Sequence, residues 1–291
     1  MQIGEKIKKL RTSKLMTQAE LAGNEITRNM LSRIENGAAQ PSLDTLRYLA
    51  KRLNVSAGFL LSDSEDEQMY IKYNEIYGIK SAFLSGDYRI CREMCLNSAT
   101  QSDDEIRMIL AECTLEIAID EFIKGELHTA CEYFDMAIQE CAKTVYNTER
   151  IISIASAYFR YIRRISSTLS SDYIDENEVP IYSALSLDFC KYIGVLLTFE
   201  GEEQLSNLDD VIDKQSIYGL HISALKYIRN EDYERAHTCL CRILFGEQEI
   251  PKPMMYFLFC DLEVCCKEIK DFKAAYEYSI DKIELLQRLL S

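Results

Sequence analysis

The sequence predicts an all-α protein, with a five-helix N-terminal domain followed by an α-solenoid. Only four prolines and eleven glycines occur in 291 residues, among abundant Leu, Ile, Ala, Glu and Lys, and this composition favours helix. Apolar residues in the first sixty positions recur at helical spacing, in short runs separated by capping and turn residues. A short helix-opening pattern also repeats along the rest of the chain.

Charge is divided between the two predicted parts. Residues 1–61, here called the head, hold ten Lys or Arg against five Asp or Glu, a net charge of +5. Residues 62–291 hold 23 against 42, a net charge of −19. DNA is a polyanion and attracts basic surfaces through counterion release. We therefore expect any DNA contact to lie in the head and the acidic remainder to repel DNA.

An acidic segment separates the two parts. Residues 62–67 carry four acids and no apolar side chain, which predicts a solvated linker or the start of a helix. The body is then residues 68–291, long enough to bury a core of its own.

Local signals divide the head into helices. The first helix places Ile3 and Ile7 on one apolar face and leaves Lys6 outside that face. Thr17 and Glu20 then form a capping box, in which each side chain satisfies a backbone N–H of the other residue. A short second helix should begin there.

Three further helices complete the head. One begins near Thr27, turns Met30 inward and stops at the Asn36-Gly37 pair. Ser42 caps a Leu-rich fourth helix, and a short fifth helix holds Phe59. Two short helices joined by a tight turn within such a unit form a helix-turn-helix.

The head resembles the lambda-repressor/Cro-like (XRE) family of helix-turn-helix regulators over the full domain length. The resemblance is carried by Arg11, the QAELA run, Ile26 in the turn, SRIENG and Pro41. It implies sequence-specific binding to double-stranded DNA, with Gln18 on a phosphate. The base and backbone readers that it implies are Thr27, Arg28, Asn29, Ser32 and Arg33.

The chemistry of these residues suits that role, because Arg and Asn make bidentate hydrogen bonds to guanine and adenine edges in the major groove. Arg11 and Glu35 resemble the internal ion pair of the family and are interpreted as structural. Such domains recognise half-sites one helical turn apart, so we expect a homodimer on an inverted-repeat operator.

The body contains an internal repeat in which an acid is followed by an aromatic residue or Leu and, three residues later, by a small residue. Two copies are 39 residues apart at Tyr88 and Leu127, and two more are 39 apart at Tyr233 and Phe272. Coincidence in a helical chain is the alternative reading. The segment GELHTACEYFDMAIQE resembles a tetratricopeptide repeat, which implies stacked helix pairs with a concave peptide-binding surface.

An XRE head on a tetratricopeptide-like body resembles the RRNPP group of peptide-sensing regulators, which includes Rgg- and PlcR-like proteins. The resemblance implies a cytoplasmic receptor whose body dimerises and binds a short signalling peptide. One basic island interrupts the acidic body and is the candidate peptide-binding set: Arg160, Tyr161, Arg163 and Arg164. Its arginines suit a peptide carboxylate, although pairing with neighbouring acids is the alternative.

Other function classes find less support. No phosphate-binding glycine loop, nucleophile motif or paired acid–base constellation is visible, so we expect no enzyme activity and no cofactor. His237, Cys239 and Cys241 lack a second ligand pair at suitable spacing, so no metal site is expected. No apolar run is long enough for a membrane span. The alternative function is a DNA-binding regulator whose body serves only for dimerisation or protein docking.

Overall fold

The computed structural model describes residues 2–62, 67–169, 171, 173–174, 187–200 and 212–291. These residues form helices and no β-strand, which confirms the all-α fold class. None of the described helices is long and apolar enough to cross a membrane. In chain order the described helices are α1 (Ile3–Ser13), α2 (Gln18–Ala22), α3 (Arg28–Glu35), α4 (Leu43–Leu53), α5 (Ala57–Leu61), α6 (Glu67–Leu84), α7 (Tyr88–Asn97), α8 (Asp104–Lys124), α9 (Leu127–Cys141), α10 (Glu149–Arg163), α11 (Asp188–Glu200), α12 (Ile217–Arg229), α13 (Tyr233–Leu244), α14 (Lys252–Glu268) and α15 (Phe272–Leu289).

The five predicted head helices are α1 to α5, and local capping determines where several of them begin. The hydroxyl oxygen of Thr17 accepts a hydrogen bond from the Glu20 N–H at 3.2 Å, and the Glu20 carboxylate accepts one from the Thr17 N–H at 2.6 Å. At the start of α4 the Ser42 hydroxyl oxygen accepts a hydrogen bond from the Thr45 N–H at 3.2 Å. The helices enclose one apolar core, whose completely buried members include Ile7, Leu21, Leu31, Leu49, Leu53 and Leu60.

The prediction that Lys6 lies outside the apolar face is wrong, because its side chain is buried. Its ammonium group donates to the backbone and side-chain oxygens of Ser62, both at 2.8 Å, and to the Phe59 carbonyl at 3.2 Å. The last carbonyls of a helix have no partner within the helix. Lys6 therefore caps the C-terminal end of α5 and joins it to α1.

The chain forms two compact units, residues 1–106 and 107–291. Helix α6 belongs to the first, since Tyr70 and Ile71 pack on the head core. Gly58 of α5 makes room for this contact, because a Cβ there would lie 2.5 Å from the Tyr70 ring. Residues 63–66 of the predicted linker lie outside the described residues. The division of functions between head and body stays a prediction.

The four repeated helix-opening segments share one backbone geometry. In each, the residue before the acid has a positive φ: +79° at Gly86, +86° at Gly125, +59° at Glu231 and +67° at Lys270. The N–H of the acid then bonds a carbonyl five residues earlier, at 2.8 to 3.0 Å, as in a Schellman turn. The acids, each of which is also the N-cap of the next helix, are Asp87, Glu126, Asp232 and Asp271.

The small residue of each segment is buried, which explains why the pattern requires it. Its N–H bonds the carbonyl of the acid, and its short side chain lies in the interior. These residues are Cys91, Ala130, Ala236 and Ala275. The internal repeat is therefore a repeat of structure as well as of sequence, whereas its assignment to the tetratricopeptide family stays a prediction.

Helix α11 lies within the aromatic core of the second unit. The Phe189 ring centroid is 4.6 Å from that of Tyr158 on α10 and 5.2 Å from that of Phe122 on α8. It also lies 5.8 Å from the centroid of Tyr218 on α12. Aromatic pairs at such distances stabilise a core beyond their buried area. Helix α11 thus connects three other helices of this unit.

The cysteines belong to this packing. Eight of the eleven are buried, three are partly buried, and none is in a disulfide. Burial raises the pKa of the Cys131 and Cys190 thiols to about 12. Thiols of this kind are poor nucleophiles and metal ligands. Most of these cysteines therefore serve as small buried hydrophobes of the core.

Candidate functional site

Helix α3 presents an exposed polar face at its N-terminal end. Thr27 is its N-cap, and the Thr27 hydroxyl oxygen accepts a hydrogen bond from the Met30 N–H at 3.1 Å. Arg28 and Asn29 follow in the first turn, and both are exposed. The helix N-terminus carries partial positive charge, so this end of α3 is suited to phosphates and to the acceptors of base edges.

The remaining predicted readers lie one turn further along α3. Arg33 is exposed and Ser32 is half-buried. Neither Arg28 nor Arg33 forms a salt bridge within the described part of the chain, so no internal carboxylate neutralises their charges. The structure therefore brings Thr27, Arg28, Asn29 and Arg33 to the exposed face of one short helix.

Met30 also belongs to the exposed surface of α3. It was predicted to face inward, yet 38% of its surface is exposed. Helix α3 has only eight residues, and Leu31 and Ile34 already supply its buried face. An apolar side chain next to Arg33 suits contact with a thymine methyl group. The helical position of Met30, one residue before the buried Leu31, is the signal that would have identified it.

Gln18, at the start of α2, makes one hydrogen bond within the head. Its side chain is half-buried, and its amide nitrogen donates to the Glu35 carboxylate at 2.8 Å. The amide retains a second hydrogen, which is the group available for the predicted phosphate contact. That contact stays a prediction.

The Arg11–Glu35 ion pair joins α1 to α3, which confirms the structural role predicted for it. The guanidinium donates to both carboxylate oxygens, at 2.6 and 3.0 Å, and also to the Met16 carbonyl at 2.8 Å. Only 1% of the Glu35 side chain is exposed. Burial raises the pKa of Glu35, but the hydrogen bonds from Arg11 and Gln18 more than offset this effect, and the pKa lies below its usual value.

The turn between α2 and α3 depends on Gly23. Its φ is +57°, and a Cβ at this position would lie 2.2 Å from the Tyr48 hydroxyl oxygen. That hydroxyl donates to the Ala22 carbonyl at 3.0 Å, and the Arg52 guanidinium donates to the Glu20 carbonyl. Helix α4 therefore satisfies the C-terminal carbonyls of α2 and fixes the direction in which the chain enters α3.

The basic island of the body is divided by the structure. Arg160 and Arg163 line a cavity of about 120 Å³ together with Phe159, Ser171 and Ile174. The Arg164 guanidinium instead lies 4.8 Å from the ring centroid of Phe257. The three arginines thus stand at two neighbouring places at the end of α10.

Tyr161 is not at the surface with these arginines. Its side chain is completely buried, and its ring centroid is 5.2 Å from that of Phe189 and 5.3 Å from that of Phe257. In this conformation Tyr161 supports the island from within the core. The helical period is the reason, because Tyr158 and Tyr161 share the buried face of α10.

The described residues include no candidate metal site. They contain no group of three or more His, Cys, Asp or Glu arranged to hold an ion. His237 and Cys241 approach each other, with the sulfur 3.6 Å from the nearer ring nitrogen.

The head is similar to a known helix-turn-helix family. Residues 7–60 match the family model described as helix-turn-helix. The chain is 34% identical over 89 residues to the HTH-type transcriptional activator BcrR of Enterococcus faecalis. That alignment covers 27% of this chain and 44% of BcrR, so it spans less than half of that relative.

Two solved structures align over most of the chain, but poorly. The first is Bacillus thuringiensis PlcR in complex with the peptide PapR7 and DNA, at 12% sequence identity and a TM-score of 0.22. The second is the apo form of the competence regulator ComR from Streptococcus vestibularis, at 17% sequence identity and a TM-score of 0.28. The PlcR alignment covers 98% of this chain and 95% of PlcR, and the ComR alignment covers 97% of each. Scores this low do not establish a shared fold for the body.

Proposed function

Because residues 7–60 form a helix-turn-helix domain, we propose that this chain is a sequence-specific DNA-binding transcriptional regulator. The observation that carries the proposal is the exposed face of α3, where Arg28 and Arg33 have no internal salt-bridge partner in the described residues. Arginine is the commonest reader of guanine in the major groove. The ion pair of Arg11 and Glu35 and the Gly23 turn hold that face in position.

A homodimer on an inverted repeat is part of the proposal. A single helix of eight residues reads only a few base pairs, so two copies are needed for a specific site. Helix α15 supplies a candidate contact surface, since Phe272, Tyr276 and Ile283 are exposed on it at helical spacing. Exposed apolar patches of this kind mark protein interaction sites.

The finer part of the proposal is control by a short peptide bound to the body. Arg160 and Arg163 border a cavity, and Arg164 lies close by over an aromatic ring. Arginine forks bind carboxylates bidentately, so these residues suit a terminal or side-chain carboxylate of a peptide. The exposed stripe on α15 favours the second candidate, a body that only dimerises or docks another protein.

Replacing Arg160, Arg163 and Arg164 together with alanine should abolish peptide capture and leave DNA binding unchanged. The probe is a synthetic pool of randomised heptapeptides, incubated with the full-length protein and identified by mass spectrometry after separation. Loss of charge-assisted hydrogen bonds worth about 1.5–3 kcal/mol each predicts a fall in capture of at least tenfold.

The matched control removes the same charge elsewhere. Arg235, Lys273 and Arg288 are exposed on α13 and α15, and their triple alanine variant should capture peptides as the wild type does. Simultaneous loss of peptide capture and DNA binding in the island variant would mean that the island only maintains the fold. No capture by the wild type would favour the docking reading.

A further inference from the structure

A hydrogen-bonded network of three side chains, outside the basic island, connects three helices of the second unit. The Tyr192 hydroxyl of α11 is 2.5 Å from His221 Nδ1 of α12, and His221 Nε2 is 2.8 Å from an Asp261 carboxylate oxygen of α14. Tyr192 and His221 are buried, whereas the Asp261 side chain is 23% exposed. The hydrogen-bonded network therefore begins in the core at Tyr192 and ends at the surface at Asp261.

The hydrogen-bond roles of these three side chains are compatible with one another. Burial raises the pKa of Tyr192, so its hydroxyl keeps its proton. With the Tyr192 hydroxyl as donor to His221 Nδ1, a hydrogen on Nε2 donates to Asp261 and both hydrogen bonds are satisfied. Within the described residues Asp261 forms no salt bridge with Lys or Arg.

A carboxylate can be exposed to water without two buried side chains beneath it. Burying a hydroxyl and an imidazole costs free energy that their hydrogen bonds only offset. The two side chains fix the orientation of Asp261, because His221 contacts the Asp261 carboxylate and is itself positioned by Tyr192. A side chain in a binding site needs such supporting hydrogen bonds to hold its geometry.

The surface around Asp261 is suited to a peptide. Phe257 lies one turn earlier on the same face of α14, and the Arg164 guanidinium is 4.8 Å from its ring centroid. An aromatic ring and a cation on one side, and a fixed carboxylate on the other, provide complementary contacts for a ligand with apolar and charged groups.

We propose that Asp261 binds a cationic group of the peptide ligand, with His221 and Tyr192 as positioning residues. The inference rests on the proposed control by a peptide and adds the chemistry of one anchor. The cation is the N-terminal ammonium or a Lys or Arg side chain of the peptide; both make the same charge-assisted hydrogen bond to the carboxylate.

The test uses the full-length protein and the randomised heptapeptide pool in three forms: unmodified, N-acetylated, and both N-acetylated and synthesised without Lys, Arg or His. The wild type should capture the third form at least tenfold less than the first. A fall with the second form identifies the ammonium, whereas full capture of the second form identifies a side chain. Equal capture of the first and third forms would overturn the proposal.

Protein variants provide the second measurement. Asp261→Asn keeps the shape and removes the charge, and should lower capture of the unmodified pool at least tenfold while DNA affinity stays unchanged. Asp281→Asn removes an exposed charge from α15 and should have no effect. Tyr192→Phe removes the hydrogen bond to His221 and should reduce capture of the unmodified pool severalfold while leaving the third form unaffected.

The outcomes separate the two proposals. Capture that is unaffected by Asp261→Asn and by blocking the cationic groups would defeat the Asp261 anchor and leave peptide binding standing. Absence of capture by the wild type in every form would defeat both. Loss of DNA affinity together with capture in the Asp261→Asn variant would assign Asp261 a role in folding, and the three pool forms on the wild type would then decide the proposal.

Discussion

Replacing Arg11 with alanine should destabilise the head by about 3 kcal/mol, because it leaves the Glu35 carboxylate buried without its main partner. Glu35 is only 1% exposed, and Arg11 supplies two of the hydrogen bonds to it. The effect should appear as faster amide hydrogen exchange in peptides from α1 to α5 of the full-length protein. Exchange in α12 to α15, within the other compact unit, should not change.

Two matched variants make this expectation specific. Lys14→Ala removes an exposed positive charge three residues away and should leave exchange unchanged. Replacing both partners, as Arg11→Met with Glu35→Leu, should recover much of the lost stability, since no unpaired charge remains. Unchanged exchange in the Arg11→Ala protein would contradict the role given to this pair.

The same pair makes the stability of the head depend on pH. The folded pKa of Glu35 lies below its usual value, so its contribution is complete above the unfolded pKa and is lost as pH falls through the folded pKa. Glu35→Gln should flatten this acid-dependent loss of stability.

Alanine at Arg28 or at Arg33 should each lower affinity for the specific DNA site by about fivefold to 150-fold, equivalent to about 1–3 kcal/mol for a lost arginine–base contact. Both side chains are exposed on α3 and make no salt bridge in the described residues, so the fold should not change. Fluorescence anisotropy at several salt concentrations measures the effect. Arg235→Ala in the body is the charge-matched control and should bind as the wild type does.

The salt dependence separates the possible roles of each residue. A base reader should relax the sequence preference at its own position, whereas a phosphate contact should weaken binding to all sequences and reduce the salt slope by about one. Thr27, Asn29 and Ser32 can be assigned in the same way. Wild-type affinity in the Arg28→Ala, Arg33→Ala double variant would exclude α3 as the reading element.

Local signals in the sequence predicted much of the head. Thr17 and Ser42 cap helices within their own next three residues, and such short-range chemistry is visible in a linear pattern. The repeated turns were found for the same reason, since Asp232 and Asp271 each accept a hydrogen bond from the N–H three residues later.

Features that depend on distant partners were not predictable. Lys6 is buried because Ser62, 56 residues away, accepts its hydrogen bonds. Tyr192, His221 and Asp261 are 29 and 40 residues apart, and nothing in the local pattern relates them. Tyr161 was placed with the arginines because sequence proximity hides the helical face on which a residue lies.

The central claim is that α3 of two copies reads a specific inverted repeat, and selection from a pool of randomised DNA duplexes tests it most directly. We expect the full-length wild type to enrich an inverted repeat whose half-site centres are about ten base pairs, or a multiple of that spacing, apart. The Arg28→Ala, Arg33→Ala double variant should not enrich it. Enrichment of a single isolated half-site, or of no sequence at all, would contradict the account.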